Sequence, residues 1–270
     1  MTKLVIIGID GLDRCLVSKY IDDLPNFQKL IQRSLPIVST SVFPPDSDTA
    51  WASIYTGLNP AQHGVVDFVD PLERMKVTQK ESKYLDINAI KGRTFWDIAG
   101  RFNKKICLIY PHLGFPVWKV NGFMINSHPE TEEIQMYPSD FSFNFNFKNL
   151  KIQKRIPRTK FEFSNYLKNK QRIVQNEFDF GKKMLTNYSW DLFFLYTSSL
   201  DSIMHIFWNY CDIDDPTYPG PNPFQDVIKN FHIFYDSLIG DILTYVDSNT
   251  TVLLFSDHGH FMRPINLFNI

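Results

Sequence analysis

Six side chains at four places in this sequence have the chemistry to hold cations and attack phosphorus. The apolar run LVIIGID ends in Asp10, DLFFLYTSSLD ends in Asp201 with His205 four residues on, and TVLLFSDHGH carries the adjacent pair Asp257 and His258. Ser47 lies in FPPDSDTAWASIYTGLNPAQHG, where a helix is expected to begin. Carboxylates, imidazoles and a hydroxyl make an oxygen and nitrogen donor set that suits zinc or manganese, with no thiolate among them. Two such ions a few ångströms apart would clamp the attacking and leaving oxygens of an in-line phosphoryl displacement.

Each feature also has a plainer local reading. Asp10, followed by Gly11 at a tight strand exit, suits a helix N-cap. Asp201 and His205, four apart on a helix, share a face and bond each other as readily as an ion. Asp257 and His258 point opposite ways in extended chain, so both meet one ion only where the chain turns, and Gly259 permits that turn. Ser47 suits an N-cap worth about 1 kcal/mol, or a hydroxyl that projects from a helix N-terminus where an arriving phosphate is favoured. His63, between a Pro turn and Gly64, reads as a structural histidine.

Positioning these residues together requires a particular kind of sheet. Short β-branched and aromatic runs alternating with helical patterns predict buried parallel strands, and open sheets of that kind gather ligand sites at the carboxyl ends of the strands. The pattern predicts a strand up to Asp10, helices over 13–22 and 26–32, a strand over 35–43, and helices over 47–55 and 94–103. A strand over 104–110 follows, and the core resumes at DLFFLYTSS with two helices and the last strand TVLLFSD. Between 111 and 185 the pattern weakens to the alternating run FSFNFNFKN and a long surface helix, which reads as a cap inserted over the strand tips. The fold class expected is a single α/β domain over 1–270, doubly wound, with a mostly parallel sheet, helices on both faces and this cap.

Bulk properties narrow the partners. With 270 residues and 44% hydrophobic content the chain can bury one large core. Its 28 basic and 29 acidic residues leave no basic stripe for a nucleic acid, and the locally positive 148–160 reads as a solvated loop. Cys15, Cys107 and Cys211 form no C-x-x-C pair and read as buried thiols. No apolar run reaches the roughly 18 residues that span a bilayer, and the first strand lacks a cleavage site, so the expectation is a cytoplasmic protein with neither nucleic-acid nor membrane partner.

In order, IIGIDGLD, PPDSDTAWASIYTGLNPAQHGVVDF, TFWDIA, KKICLIYPHLGFPVWKVNGFM, DLFFLYTSSLDSIMHIFW and FSDHGH resemble the alkaline phosphatase superfamily, in its type I phosphodiesterase and nucleotide pyrophosphatase branch. The resemblance implies an alkaline-phosphatase-like fold and a metal-dependent hydrolase of small-molecule phosphoesters, with two divalent ions, zinc before manganese. By position, Asp10, Asp257 and His258 would hold one ion with Ser47 as nucleophile and shared ligand, and Asp201 and His205 would hold the second. A phosphoseryl intermediate at Ser47 is implied.

Three departures modify the expectation. Serine stands at 47 where many phosphodiesterase members use threonine. Phe68 stands where nucleotide pyrophosphatases have an asparagine that contacts phosphate, and a phenyl ring donates no hydrogen bond. Members ligate the second metal with a further histidine well downstream of SDHG, whereas this sequence ends at Ile270, and His260 is too close to take that place by alignment. The second site is therefore expected to be incomplete and turnover weak or absent. The alternatives are a metal-dependent phosphomutase and a truncated, non-catalytic paralogue that only binds; a sulfatase is disfavoured, because Ser47-Asp48-Thr49-Ala50-Trp51 lacks the proline and arginine its nucleophile needs.

Overall fold

The computed structural model describes residues 3–43, 45–66, 87–128, 131, 133–142, 145, 157 and 159–261. Among them are six strands: β1 (Lys3–Ile9), β2 (Ile106–Ile109), β3 (Gly122–Ser127), β4 (Ile134–Tyr137), β5 (Leu192–Thr197) and β6 (Thr250–Phe255). They form one sheet in the order β4-β3-β2-β5-β1-β6, parallel throughout except for β3 and β4. The described α-helices are α1 (Arg14–Lys19), α2 (Pro25–Arg33), α3 (Ser47–Thr56), α4 (Pro60–His63), α5 (Phe95–Arg101), α6 (Lys160–Asn187), α7 (Ser199–Cys211) and α8 (Val227–Leu243).

Strand β5 explains why its sequence, LFFLYT, is apolar without alternation. Phe194 packs on Tyr55 of α3 and Trp96 of α5, ring centroids 5.7 and 6.0 Å apart, and Tyr196 packs on Trp51 of α3 at 5.0 Å. Its alternate residues Phe193 and Leu195 point the other way, where Gly181 of α6 and Ile242 of α8 meet them. Helices thus cover both faces of β5, and every one of its positions is buried, as a central strand of a doubly wound α/β sheet demands.

Register then places the chemistry. Ile9 pairs with Thr197 and Gly8 with Phe255, so β1, β5 and β6 end level. Asp10, the start of α7 with Asp201, and Asp257-His258 all emerge on that one edge, as the sequence pattern requires.

Two expected elements differ. Residues 35–43 form no strand; Leu35, Ile37, Val38 and Phe43 are exposed, Phe43 at 89%. Strand propensity is fitness for a half-buried pleated surface, and no described neighbour offers one to this run. The segment 111–185, expected as a cap, supplies β3 and β4 to the sheet, and α6 packs against β2 and β5. Helix α6 is no surface helix, since Phe163, Ile173, Val174, Phe178, Phe180 and Met184 are buried. The alternating run FSFNFNFKN lies mostly outside the described residues.

Candidate active site

At the tip of β1 the chain turns sharply. Gly11 adopts a φ of +71°, and a Cβ there would lie 2.9 Å from Asp201 Cβ, so only glycine lets the β1 exit press against α7. The Gly11 N–H donates to Asp257 Oδ1 at 3.3 Å and ties the β1 and β6 tips together. Asp10 Oδ2 accepts from Trp51 Nε1 (3.1 Å) and Tyr196 Oη (2.5 Å), which leaves Oδ1 facing Ser47 Oγ at 3.2 Å. The helix-cap alternative for Asp10 falls away, because Asp13 caps α1 by accepting from the Leu16 N–H at 3.0 Å.

A similar one-residue distinction frees Ser47. Asp46 is the N-cap of α3, accepting from the Asp48 N–H at 3.0 Å, and Ser47 is the first helical residue. With no capping duty, its hydroxyl sits beside Asp10 and 3.0 Å from His258 Nε2. His258 Nδ1–H donates to the Gly259 carbonyl at 2.8 Å, and this turns Nε2 inward. There it is 3.4 Å from both Asp10 Oδ1 and Asp257 Oδ2.

Burial raises the pKa of Asp257, and repulsion from Asp10 adds to it. Burial likewise raises Asp10, against the pull of His112. For His258 burial acts downward, but Asp257 and Asp10 outweigh it and the pKa rises. Acids crowded into low dielectric favour a cation among them.

On α7, Asp201 Oδ2 and His205 Nε2 lie 3.3 Å apart, one helical turn separating the residues. His260 joins them, with Nδ1 3.6 Å from Asp201 Oδ1 and its ring edge-on to His205 at a centroid distance of 4.7 Å. Burial alone would raise the Asp201 pKa, but His205 and His260 hold the carboxyl well below the usual range. Two donor groups result, Asp10 with Asp257 and His258, and Asp201 with His205 and His260, each with ligand atoms within 4.8 Å of one another. Among the described residues nothing donates a hydrogen bond to the buried oxygens Asp257 Oδ2 and Asp201 Oδ1, so the residues present fit divalent cations.

The family model for type I phosphodiesterases and nucleotide pyrophosphatases matches residues 4–265. The chain belongs to that family. Its fold is similar to phosphonoacetate hydrolase from Sinorhizobium meliloti 1021 in complex with phosphonoformate, at 17% identity and a TM-score of 0.58, over 96% of this chain and 56% of that one. An inactive murine ectonucleotide pyrophosphatase/phosphodiesterase 5 in complex with AMP gives 16% identity and a TM-score of 0.55, over 96% and 57%. A 2-O GAG sulfatase gives 12% and 0.58, over 96% and 58%. The chain therefore spans less than two thirds of each of these structures. No curated protein matches it.

Within this family member, the site includes residues that spacing alone passed over. His112 Nε2 is 2.6 Å from Asp48 Oδ1, and Nδ1 is 3.0 Å from Tyr196 Oη, which itself donates to Asp10. Burial acts to lower the His112 pKa, but the Asp48 hydrogen bond and charge raise it. With both ring nitrogens protonated, donors run outward without conflict, from His112 to Asp48 on one side and through Tyr196 to Asp10 on the other. His112 follows the β2 tip, so the strand-tip rule that found Asp10 would also have found it. His260, set aside in the sequence as too close to take the downstream histidine's place, also lies with Asp201 and His205. His63 is structural as expected, with Nε2 2.8 Å from Ser53 Oγ and Nδ1 accepting from the Val65 N–H. Phe68 lies outside the described residues.

Proposed function

We propose that this chain hydrolyses small-molecule phosphoesters with Ser47 as nucleophile beside two divalent cations. The observation that carries the reading is Ser47 Oγ itself, relieved of capping by Asp46 at the start of α3 and within 3.2 Å of Asp10 and 3.0 Å of His258. Asp10, Asp257, His258 and Ser47 would hold one ion, and Asp201 and His205 the other, with zinc the first expectation and manganese the second. Such ions, when bound, lower the pKa of the attacking hydroxyl and neutralise charge on the transferring group.

The remaining work falls to the chain. Ser47 Oγ gives up its proton and bonds to phosphorus as the P–O bond to the alcohol breaks and that alcohol takes a proton; water then attacks phosphorus, the Oγ–P bond breaks, phosphate leaves and Oγ regains a proton. Helix α3 directs its positive end at the charge being moved. Tyr196 and Trp51 keep Asp10 from rotating away from Ser47. Relatives of this fold bind phosphonoformate and AMP, which supports a small phosphoryl anion as ligand; Phe68 argues against a nucleotide.

The test is to load the purified chain with zinc or manganese and assay p-nitrophenyl phosphate and bis-p-nitrophenyl phosphate. Ser47→Ala should abolish turnover, and a quenched reaction should carry phosphate on Ser47 by mass spectrometry. Robust hydrolysis indifferent to Ser47→Ala refutes the mechanism.

A further inference from the structure

We propose that His260 is a third protein ligand of the ion held by Asp201 and His205, so that one glycine-hinged turn gives an imidazole to each of two ions. This rests on the two-ion reading above and adds a residue to it.

Distance is the first argument. His260 Nδ1 stands 3.6 Å from Asp201 Oδ1, beyond hydrogen-bond length, while Asp201 Oδ2 and His205 Nε2 stand 3.3 Å apart. Donors around a tetrahedral zinc, each about 2.0–2.1 Å from the metal, are separated by roughly 3.4 Å. Both spacings fall near the separation an ion would impose. Asp201 Oδ1, buried and without a donor among the described residues, faces the gap.

Packing is the second. The His260 side chain is 7% exposed, its ring held between His205 and Trp208, whose centroid is 5.1 Å away. Trp208 is itself fixed by its Nε1–H donating to Asp212 Oδ2 at 3.0 Å. An imidazole so enclosed has its rotamer set before any ion arrives.

The backbone supplies the third. Asp13 uses both carboxylate oxygens: Oδ1 caps α1, and Oδ2 accepts from the His260 N–H at 3.2 Å. A Cβ on residue 259 would overlap Asp13 Oδ2, so a side chain there would push that carboxylate off the His260 N–H. His258 and His260 then leave the turn toward different partners, one to Ser47 and the other to α7. One carboxylate and two imidazoles give the three protein ligands that a catalytic zinc uses while keeping a position open. Asp13 acts here as a positioning residue.

The experiment is a zinc titration of the whole chain by calorimetry, with bound metal counted by mass spectrometry. Wild type should bind two ions, His205→Ala and His260→Ala should each keep one, and Asp257→Ala should keep the other. A histidine that merely orients a ligand also costs ten- to a hundredfold in affinity, so affinity alone does not decide. Zinc X-ray absorption on Asp257→Ala, loaded only at the second site, does; two imidazoles are expected there. Circular dichroism checks the fold, and His260→Gln serves if the alanine variant unfolds. A single imidazole with His260 intact, or full second-site loading without it, overturns the proposal. A wild type that binds one ion, lost in Asp257→Ala, also overturns it but leaves the Ser47 chemistry standing, which the phosphoserine assay reads separately.

Discussion

The two donor groups use the same chemistry and are held in opposite ways. Asp10 and Asp257 are 2% and 4% exposed, and Trp51, Tyr196 and the Gly11 N–H fix their orientation. Around Asp201 the support is one helix and one turn, and the His205 side chain is 49% exposed. Electrostatics divides them as well: burial and mutual repulsion raise the carboxyl pKa at the first group, whereas two imidazoles lower it at Asp201 against the effect of burial. A cation entering the first group relieves repulsion; one entering the second meets a carboxyl that its neighbours already hold below the usual range. The first group is therefore expected to bind its ion more tightly, and the second to load later.

Breaking the first group should have the largest effect. Asp257→Ala removes a carboxylate from the ion beside Ser47, and p-nitrophenyl phosphate turnover should fall on the order of 10³-fold, the scale of losing a transition-state charge stabiliser. His205→Ala should cost less, because its ion does not touch the nucleophile. If steady-state kinetics give the larger loss to His205→Ala, the ranking of the two groups is inverted.

A buried acid sharpens the comparison from below the second group. Glu177 of α6 lies against Thr197, at the β5 tip that leads into α7, and burial raises its pKa to about 7, against the pull of the Thr197 hydroxyl and Lys170. The folded pKa lies above the ordinary 4.5, so the native state holds this proton more tightly than the unfolded chain. Stability from this group is full below pH 4.5 and is lost as pH rises to 7, by at most about 3 kcal/mol. Glu177→Gln removes that dependence. Urea unfolding should show the variant gaining on wild type across pH 4.5–7, and a constant difference over that range would contradict the shift.

Tyr196→Phe tests the network behind the first group with a smaller change. The phenol donates to Asp10 and accepts from His112, so its loss loosens Asp10 and leaves His112 with one partner fewer. Ion affinity at the first group should drop about ten- to a hundredfold, with the second group unaffected. Equal loss at both sites would mean that the two are one coupled unit.

The sequence was legible where a rule concerned a whole element and illegible where it turned on one residue. Apolar runs ending in Asp10, Asp201 and Asp257 disclosed the sheet and its active edge, because a parallel strand buried on both faces has little sequence freedom until its tip. Whether Asp10 or Asp13 capped α1, and whether Asp46 or Ser47 capped α3, depended on a local backbone choice that every one of these residue types satisfies. The family resemblance pointed past His260 because alignment measures separation along the chain, whereas Gly259 and Asp13 fold that separation back toward α7. The β-branched run 35–43 misled for the reverse reason, since propensity describes a residue and a strand needs a partner.

That run offers the smallest effect and a check on how far the first group extends. Ile37 is 79% exposed and lies in the stretch that leads toward Ser47. An apolar residue this exposed among the described residues contributes little, so Ile37→Ser should change unfolding free energy by less than about 0.5 kcal/mol. Turnover should also be unchanged, because Ser47 is held from the other side by Asp10, His258 and the α3 cap at Asp46. A tenfold rise in KM with kcat intact would show instead that 35–43 touches substrate. The first group would then be less self-contained than its buried hydrogen bonds imply, and the contrast with the second would rest on electrostatics alone.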